Sequence, residues 1–464
     1  MKKVAIVGGG ISACACAVAL KEQGVDVVIF EKGPLAGGKL LTEKVDGFVV
    51  EAGPDSFLPE KYWTVDLVRK IGLEGELLCT NEEHKGTYIY SGGRLHRLPE
   101  GVMLMVPTML MPLARSGLIT LPGKIRMGIE VLVPRKRDGS DESLARFVTR
   151  RLGRECLEKI AEPLVAGIHT ADPDNMSVRA VFPRFLEMEQ KSGSLIRAMT
   201  AAMRKAIPAG TDARMTYFMS LKHGMQQLVD RCVDFIGKER FRTSCEVTEV
   251  LKTPAGYGLL AGGERMTFDS VVLATPSYET RQLLGRMAPL LADRLSPIEW
   301  SSTATISLAF REEDVPTRLA GFGFIVPRTE QRRINATTWS SIKWSFRAPP
   351  RHLLTRSFVG GGQHEDLVYY DDRDLVSIVR DELREIAGIT GKPLFSKVYR
   401  WIKGMPRYTV GHLERVNAIE EAGQPYPGLH LIGCSFRGIG IGDCVKSGFE
   451  AAREIARHAD SCAS

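Results

Sequence analysis

The sequence predicts an α/β fold that is α+β overall, on the basis of three regional patterns. Near the amino terminus, the apolar tetrad Val4 to Val7 precedes three glycines and a run of small residues that ends at Gly24. From Leu95 to about Pro208 apolar residues recur with helical spacing, whereas strand patterns predominate between Tyr278 and Val398. Because the chain has 464 residues, 44% of them hydrophobic, it is long enough to form two or three domains.

The amino-terminal segment predicts one β-α-β unit. Val4 to Val7 is a buried strand, Ile11 to Gln23 is a helix, and Val25 to Phe30 is a second buried strand. The glycine turn from Gly8 to Gly10 lies between the first strand and the helix. In this context the glycines predict a dinucleotide site, and the alternative is a structural turn that binds nothing.

Each residue type at this turn suits a dinucleotide. Gly8 permits the tight turn, and Gly10 lets the backbone approach a pyrophosphate, which the helix amino terminus binds through its N–H groups. Ala13 occupies the third glycine position, where only close packing is required. Glu31, about twenty residues downstream, is placed to accept hydrogen bonds from ribose hydroxyls, which favours FAD or NAD over NADP.

A second glycine motif favours FAD over NAD. The run from Glu31 to Lys39 carries Gly37 and Gly38 directly before a basic residue. It resembles the second glycine motif of the flavin amine-oxidase superfamily, in which the glycine pair lies near the flavin end of the dinucleotide. Lys39 stands where that superfamily usually has arginine. A surface turn that contains a lysine is the alternative interpretation.

The rest of the chain resembles a narrower family. Residues Asp46 to Phe57 look like the opening of the substrate domain in bacterial porphyrinogen oxidases, which act on protoporphyrinogen or coproporphyrinogen. The likeness covers nearly the whole chain. Six further stretches are similar to that family: Leu95 to Pro107, Glu162 to Phe185, Ser220 to Val229, Gly321 to Arg328, Trp339 to Trp344 and Leu429 to Gly448. Three residues depart from its usual pattern: Ala13, Arg407 and Gly442.

This resemblance implies a Rossmann-like FAD-binding domain, a mixed-sheet substrate domain and a helical domain of the membrane-associating type. The FAD-binding domain is expected at 1–45, 215–277 and 400–464, the substrate domain at 46–94 and 278–399, and the helical domain at 95–214. Strands within 245–275 are expected to extend the first sheet. The closing helix is expected from Asp443 to Arg457, with Asp443 as its cap.

The resemblance and the glycine motifs together imply which residues contact FAD. They are Gly8, Gly10, Ile11, Ser12, Ala13, Glu31, Lys32, Gly38, Lys39, Gly53, Pro54, Asp55, Ser56, Val247, Trp401, Gly433, Ile439, Ile441, Asp443 and Val445. The amino terminus of the closing helix is expected to stabilise the negative charge that reduction places on the flavin.

The resemblance further implies six-electron oxidation of a porphyrinogen in haem biosynthesis, with oxygen as acceptor and hydrogen peroxide as product. The expected partners are the porphyrinogen and oxygen, with the next enzyme of the haem pathway as a further candidate. The propionates of the substrate predict cations at the rim of an apolar pocket, and the candidates are Lys61, Arg94, Arg97 and Arg179. No Ser-His-Asp or paired-carboxylate machinery is expected. His412 is the acid/base candidate, with a structural role as the alternative.

Two other functions remain open. A flavin amine oxidase or carotenoid desaturase-like enzyme would share the glycine motifs but not the stretches at 162–185 and 339–344. A non-catalytic protein would keep the dinucleotide fold only as a binding module, and absence of yellow colour would support it. The intact glycines and Glu31 argue against that module.

The charge and composition of the chain restrict the classes of molecule that it is expected to bind. The net charge of +7, from 62 basic and 55 acidic residues, suits phosphate, carboxylate or acidic lipid. No dense basic run with interleaved aromatics indicates nucleic-acid binding. Residues 102–133 alternate apolar clusters with Arg115, Lys124 and Arg126. This pattern predicts either peripheral contact with an acidic membrane face or packing against the substrate pocket.

The cysteines and the amino terminus predict a cytoplasmic protein. Nine scattered cysteines with no Cys-x-x-Cys pair fit reduced thiols and give no metal site. The chain enters a strand within its first residues, unlike a secretory signal. The apolar stretch at 102–113 is interrupted by two prolines and is too short to span a bilayer.

Overall fold

The computed structural model describes residues 2–461 except 104, 170, 171, 207–214, 317, 318, 320 and 363. Cys462 and the predicted end of the helical region at Pro208 therefore lie outside the described residues, as do parts of the similar stretches at 95–107 and 162–185. No disulfide bond joins any of the eight cysteines that are described.

A parallel sheet carries the predicted β-α-β unit. Its described strands, in spatial order, are β11 (Phe241–Arg242), β2 (Asp26–Phe30), β1 (Lys3–Val7), β15 (Ser270–Leu273) and β21 (Leu429–Leu431). Every pairing in it is parallel. Parallel strands are usually buried on both faces, and β1 and β15 are apolar and buried in this way.

Helices cover one face of this sheet. They are α1 (Ile11–Glu22), α2 (Trp63–Lys70), α11 (Gln226–Ile236) and α17 (Ile441–Ser461). The core of this layer includes the small residues of α1, from Ala13 to Ala19. Such residues let α17 approach closely, and a Cβ on Gly448 would overlap the Ser12 carbonyl oxygen. The composition of α1 thus sets the spacing of the two helices.

The opposite face is covered differently from the sequence prediction. Strands β12 (Val247–Thr253), β13 (Gly256–Ala261) and β14 (Glu264–Phe268) form a separate antiparallel sheet. The expectation that 245–275 extends the first sheet was therefore wrong for all but β15. Only short turns connect β12, β13 and β14. Antiparallel strands can be joined by a tight turn, whereas parallel neighbours need a long crossover connection. Three helices complete this layer: α12 (Ser277–Leu284), α13 (Pro289–Leu295) and α16 (His412–Gly423).

A seven-stranded mixed sheet forms the second large layer of the described residues. Its order is β20 (Phe395–Arg407), β16 (Glu299–Arg311), β19 (His352–Gly360), β18 (Ala336–Trp339), β17 (Gly323–Ile325), β6 (Tyr88–Ser91) and β7 (Arg94–Arg97). One of its faces packs on α15 (Asp372–Ala387). The short α14 (Ser340–Lys343) follows β18.

Strand register decides which side chains this sheet directs away from α15. Paired residues share a face, and alternate residues along a strand return to it. Thr305, Arg356 and Trp401 consequently lie together on the face opposite α15. Arg400, the neighbour of Trp401, lies on the α15 face with Ala304.

Residues 102–206 are mainly helical, as predicted. The helices are α3 (Leu110–Arg115), α4 (Leu121–Gly128), α5 (Leu144–Leu152), α6 (Arg154–Cys156), α7 (Glu162–His169), α8 (Val178–Val181), α9 (Pro183–Ser192) and α10 (Leu195–Ala206). A π-helical turn, Leu157–Ala161, joins α6 to α7. Arg151 and Glu130 form an ion pair in the interior of this region, and both are fully buried.

Short hairpins connect these layers. They are β3 (Thr42–Val45) with β4 (Phe48–Glu51), β5 (Leu77–Cys79) with β10 (Met219–Leu221), and β8 (Val102–Met103) with β9 (Val106–Pro107). Two expected domain boundaries fall inside strands, at 94/95 in β7 and at 399/400 in β20. The domain division itself stays a prediction.

The closing helix begins earlier than the sequence predicted. Helix α17 starts at Ile441 rather than at Asp443. The Gly440 carbonyl accepts hydrogen bonds from the N–H groups of Asp443 and Cys444. Asp443 is therefore the third residue of the helix and not its cap. Its carboxylate instead forms an ion pair with Lys61 at 2.5 Å.

Candidate dinucleotide-binding site

The glycine turn after β1 leaves room for a ligand. Gly8 has φ of +98°, which favours glycine, and a Cβ there would lie 3.0 Å from the Ala274 carbonyl oxygen. Gly10 has φ of −75° and ψ of 178°, and a Cβ there would meet no atom within 4 Å. Gly8 is thus required by the protein itself, whereas the space at Gly10 suits the approach of a pyrophosphate.

Helix α1 presents free backbone donors at this space. Gly10 precedes the helix and has no side chain that could cap it. No described residue accepts a hydrogen bond from the N–H groups of Ser12 or Ala13. These donors and the positive end of the helix dipole together favour an anion. The side chain of Ala13 is fully buried and serves packing.

Glu31 lies at the end of β2, beside the glycine turn. Its two carboxylate oxygens accept the N–H groups of Gly9 and Gly33, each at 2.7 Å. Each oxygen keeps a second lone pair, so the carboxylate can still accept from ribose hydroxyls. The Glu31 carbonyl accepts from the Cys245 N–H, two residues before the buried Val247.

The second glycine motif packs directly on the first. The Gly37 N–H donates to the Gly9 carbonyl at 2.8 Å. Gly38 has φ of +57°, and a Cβ there would lie 3.4 Å from the Gly10 Cα. The structure therefore brings the two motifs together, although they are separated by more than twenty residues in the chain.

The side chains that flank this motif point in different directions. The Lys39 ammonium lies 5.4 Å from the centre of the Trp300 ring and 4.0 Å from the Cys434 sulfur. Lys39 thus connects the first β-α-β unit to the loop after β21. Lys32 points away and pairs with Glu279 at 2.5 Å.

A turn at 52–56 lies against Lys39, because a Cβ on Gly53 would overlap the Lys39 carbonyl oxygen. The carbonyls of this turn are held by donors from other elements. The Ala52 carbonyl accepts from Trp401 Nε1 at 2.9 Å and from Thr305 Oγ1 at 3.0 Å. The Gly53 carbonyl accepts from the Arg356 guanidinium.

The N–H groups of this turn have no such partners. The Asp55 carbonyl accepts from Ser220 Oγ at 2.7 Å, but no described residue accepts from the N–H groups of Gly53, Asp55 or Ser56. Gly53 is buried, and unpaired buried donors are rare in folded proteins. The turn therefore offers donors to a bound ligand, while Pro54, which lacks an N–H, is exposed.

Asp55 is ionised within a cationic surrounding. Its carboxylate lies 3.3 Å from the Lys343 ammonium and accepts from Trp344 Nε1 at 3.0 Å. Burial alone would raise the pKa of Asp55, but the charges of Lys343 and Arg356 hold it well below its usual range. The turn is thus fixed electrostatically as well as by hydrogen bonds.

The loop after β21 closes the site from the other side. Gly433 has φ of +106°, and a Cβ there would lie 3.7 Å from Ser12 Oγ, so this loop lies against the start of α1. No described residue accepts from the N–H groups of Ile441 and Gly442, at the amino terminus of α17. Ile439 is half-buried and Val445 is fully buried. The start of α17 is a second helix amino terminus with free donors.

Tyr408 and His412 hold this loop in place. The Tyr408 hydroxyl donates to the Cys434 carbonyl and accepts from the Gly438 N–H, both at 2.8 Å. His412 stacks on Tyr408 with ring centres 3.8 Å apart, and its Nε2 lies 2.7 Å from the Phe436 carbonyl oxygen. Burial lowers the pKa of His412 to about 4. His412 is therefore neutral at physiological pH.

The four predicted substrate cations do not form one cluster. The ion pair with Asp443 places the Lys61 ammonium at the start of α17. Arg94 and Arg97 lie on β7, six strands from the β20 that carries Trp401, or about 29 Å along the sheet at the usual strand spacing. Arg179 pairs with Glu414 at 2.8 Å.

Sequence reasoning missed two cations at the site, Lys343 and Arg356. Lys343 lies within a stretch that was noted only for its family likeness. Arg356 interrupts the otherwise apolar and hydroxylated strand from His352 to Gly360, and that interruption was a signal that could have identified it.

This arrangement, a parallel sheet with two abutting glycine motifs and two helix termini with free donors, defines a dinucleotide-binding protein. Residues 15–456 match the family described as flavin containing amine oxidoreductase. The chain belongs to this family, and its cofactor is FAD, because the glycine turn and Glu31 fit the dinucleotide form of a flavin. The open space at Gly10 and the unpaired donors fit the same group.

Several curated proteins named porphyrinogen oxidases are similar to nearly the whole of this chain. The coproporphyrinogen III oxidase of Bacillus subtilis is 33% identical over 96% of each chain. The enzyme of the same name from Staphylococcus aureus is 33% identical, with 98% of this chain and 99% of that one covered. The mitochondrial protoporphyrinogen oxidase of Nicotiana tabacum is 26% identical, with coverage of 99% and 96%.

Solved structures agree in fold. An Exiguobacterium protein that is provisionally assigned as a protoporphyrinogen oxidase has a TM-score of 0.87 at 32% identity, with coverage of 98% and 99%. Cyclohexylamine oxidase from Brevibacterium oxydans has a TM-score of 0.73 at 16% identity, with 99% of each chain covered. The second likeness shows the fold alone.

Two absences hold for the part of the chain that the structure describes. No group of three or more histidine, cysteine or carboxylate residues could hold a metal ion there. In the same residues, no helix has the length and apolar character that crossing a membrane requires.

Gly10→Val should abolish flavin retention without unfolding the protein. The backbone at Gly10 suits any residue and an added Cβ would meet no atom within 4 Å, but the side chain would occupy the space that the pyrophosphate needs. We expect the ratio of flavin to protein absorbance to fall about tenfold or more, which corresponds to at least 1.4 kcal/mol of lost binding free energy, about one decade.

Gly423→Val is the matched control, because a Cβ at Gly423 also meets no atom within 4 Å and lies at the end of α16. Its flavin content should equal that of the unmodified protein. Normal flavin content in Gly10→Val would contradict the placement of the pyrophosphate.

Proposed function

We propose that this oxidoreductase converts a porphyrinogen to the porphyrin in haem biosynthesis, with oxygen as acceptor and hydrogen peroxide as product. The observation that carries the proposal is the full-length 33% identity to the coproporphyrinogen III oxidase of Bacillus subtilis. That similarity covers 96% of each chain, so it is not confined to the segments that bind a dinucleotide.

Coproporphyrinogen III is the preferred substrate in this proposal. Relatives named coproporphyrinogen III oxidase are 30–33% identical to this chain. The curated relatives named protoporphyrinogen oxidase are 25–28% identical, although the Exiguobacterium protein that carries this name provisionally is 32% identical. The extra propionates of coproporphyrinogen also suit the net positive charge of the chain.

FAD, when bound, accepts two electrons at a time from a carbon bridge of the macrocycle, so that one porphyrin requires three cycles. The chain contributes binding and electrostatics. The N–H groups at the start of α1 bind the pyrophosphate, and those of Ile441 and Gly442 stabilise negative charge on the ring. The N–H groups of Gly53, Asp55 and Ser56 would hold the ring through hydrogen bonds.

His412 is a positioning residue in this proposal and not the acid or base. Its Nε2–H donates to the Phe436 carbonyl, and its ring supports Tyr408, which holds the loop before α17. A pKa of about 4 leaves it unable to donate a second proton near neutral pH. Delivery of the product to the next enzyme of the pathway stays a prediction.

Anaerobic mixing with coproporphyrinogen III should bleach the visible absorbance of the bound flavin. One porphyrin should form for every three flavins reduced, because each flavin takes two of the six electrons. Protoporphyrinogen IX should bleach the flavin more slowly. After oxygen is admitted, three molecules of hydrogen peroxide should appear for each porphyrin.

Benzylamine and putrescine serve as the comparison, since an amine oxidase on this scaffold would be reduced by an amine. Neither should bleach the flavin. Bleaching by an amine and not by either porphyrinogen would replace the proposal with that alternative, and bleaching by none of these compounds would also reject it.

We further propose that the helical region contacts an acidic membrane surface peripherally. Its exposed apolar side chains include Met111 (65% exposed), Leu121 (69%), Ile125 (56%) and Leu132 (74%). Leu121 and Ile125 are four residues apart and share one face of α4. Clusters of exposed apolar residues near cations are typical of surfaces that enter the headgroup boundary, and Arg115 lies at the end of α3.

The double variant Leu121→Ser, Ile125→Ser should bind vesicles about tenfold or more weakly, because two exposed apolar side chains lose their burial in lipid. The measurement is co-sedimentation with phosphatidylcholine vesicles that contain phosphatidylglycerol. Leu290→Ser is the matched control, since Leu290 is 77% exposed on α13 and should leave binding unchanged. Equal binding by all three proteins, or none by the unmodified protein, would reject the membrane contact.

A further inference from the structure

Arg356 is a buried cation with no ion-pair partner among the described residues. It lies in the middle of β19 and is 5% exposed. One terminal nitrogen donates to the Gly53 carbonyl, but its Nε has no hydrogen-bond partner, and within the described chain no carboxylate lies within 4.0 Å of the guanidinium. An arginine stays protonated in such a setting. Its guanidinium lies 4.8 Å from the centre of the Phe358 ring, a cation–π contact, so the charge has an aromatic neighbour but no paired carboxylate.

The two nearest acids are committed to other cations. Asp55 pairs with Lys343 at 3.3 Å, and Glu51 lies 3.6 Å from Arg347 and accepts the Met225 N–H at 2.8 Å. Burial lowers the pKa of Arg356, and the more distant charges of Asp55 and Glu51 oppose this effect only in part. A buried charge without a paired carboxylate is costly to fold, and the contact with the Phe358 ring offsets only part of that cost, which points to a negative charge that another molecule supplies.

The position of Arg356 identifies that molecule. Arg356 shares a sheet face with Trp401 and Thr305, and all three donate to the carbonyls of Ala52 and Gly53. These bonds turn the two carbonyls towards the sheet. The N–H groups of Gly53, Asp55 and Ser56 are left without acceptors, beside the Lys39 backbone and the second glycine motif.

We propose that Arg356 is a positioning residue for FAD, which directs the donors of the turn at 52–56 to the flavin ring and stabilises the negative charge of its reduced form. The inference rests on flavin binding and not on the identity of the substrate. Reduction adds negative charge to the ring, and a fixed cation in a site of low dielectric favours that state.

Removal of this charge should shift the reduction potential of the bound flavin. Arg356→Met keeps much of the side-chain volume and removes the cation. We expect the ratio of reduced to oxidised flavin at a fixed potential to fall about 100-fold, which is a shift of about 59 mV to more negative potential for a two-electron couple. The measurement is anaerobic equilibration of the holoprotein with a reference dye, without substrate.

Arg356→Lys separates charge from shape. It keeps a cation and one donor for the Gly53 carbonyl. Its ratio of reduced to oxidised flavin should therefore stay within about threefold of the ratio in the unmodified protein. Arg400→Met is the matched control, because Arg400 lies on the opposite face of the same sheet and pairs with Asp372 at 2.6 Å. Its flavin potential should not change.

If Arg356→Met does not retain flavin, the same comparison is made between Arg356→Lys and Arg356→Gln. Both can donate to the Gly53 carbonyl, and only the lysine carries charge, so the glutamine variant should show the negative shift. Unchanged potentials in all variants that retain flavin would overturn the proposal. A raised KM for the porphyrinogen at unchanged potential would also overturn it, since that result assigns Arg356 to the substrate.

This experiment is independent of the proposed reaction. The potential is measured on the flavin alone, so failure of every porphyrinogen to react would leave the Arg356 proposal standing. Conversely, normal porphyrinogen oxidation with an unchanged flavin potential in Arg356→Met would reject the role proposed for Arg356 and leave the proposed function intact.

Discussion

Backbone donors without acceptors among the described residues lie in three segments, and close contacts of the fold bring these segments together. They lie at the start of α1, in the turn at 52–56 and at the start of α17. Unpaired backbone N–H groups inside a protein are unfavourable unless a ligand accepts from them. The donors at the start of α1 and those of the turn at 52–56 lie near each other because Gly38 approaches Gly10 and Gly53 approaches the Lys39 backbone. The loop at Gly433 lies against Ser12, which places the start of α17 beside the start of α1.

The turn at 52–56 joins the two large sheets of the described residues. Its carbonyls are bound by side chains of the seven-stranded sheet, and its glycine packs on the segment that follows the parallel sheet. Because the carbonyls of Ala52, Gly53 and Asp55 each accept from a side chain of another element, the orientation of the free N–H groups is fixed before any ligand binds. Preorganised donors of this kind need no rearrangement when charge develops on a bound group.

The sequence predicted the β-α-β unit, because glycines, small residues and buried strands there follow local rules. It placed the strands of 245–268 in the wrong sheet, since turn length and packing, rather than strand pattern, decide which strands pair. The start of α17 was missed by two residues because Ile441 and Gly442 resemble the glycine-rich loop before them. Arg356 is 303 residues from Gly53 in the chain, and only folding shows that they touch.

Amide hydrogen exchange, followed by mass spectrometry with and without FAD, tests the central claim most directly. Binding should slow exchange at 12–13, 53–56 and 441–442 together, because each set lacks a protein acceptor and would gain one from the cofactor. Protection at 12–13 alone would contradict the account, since it would leave the flavin ring away from the turn and from α17.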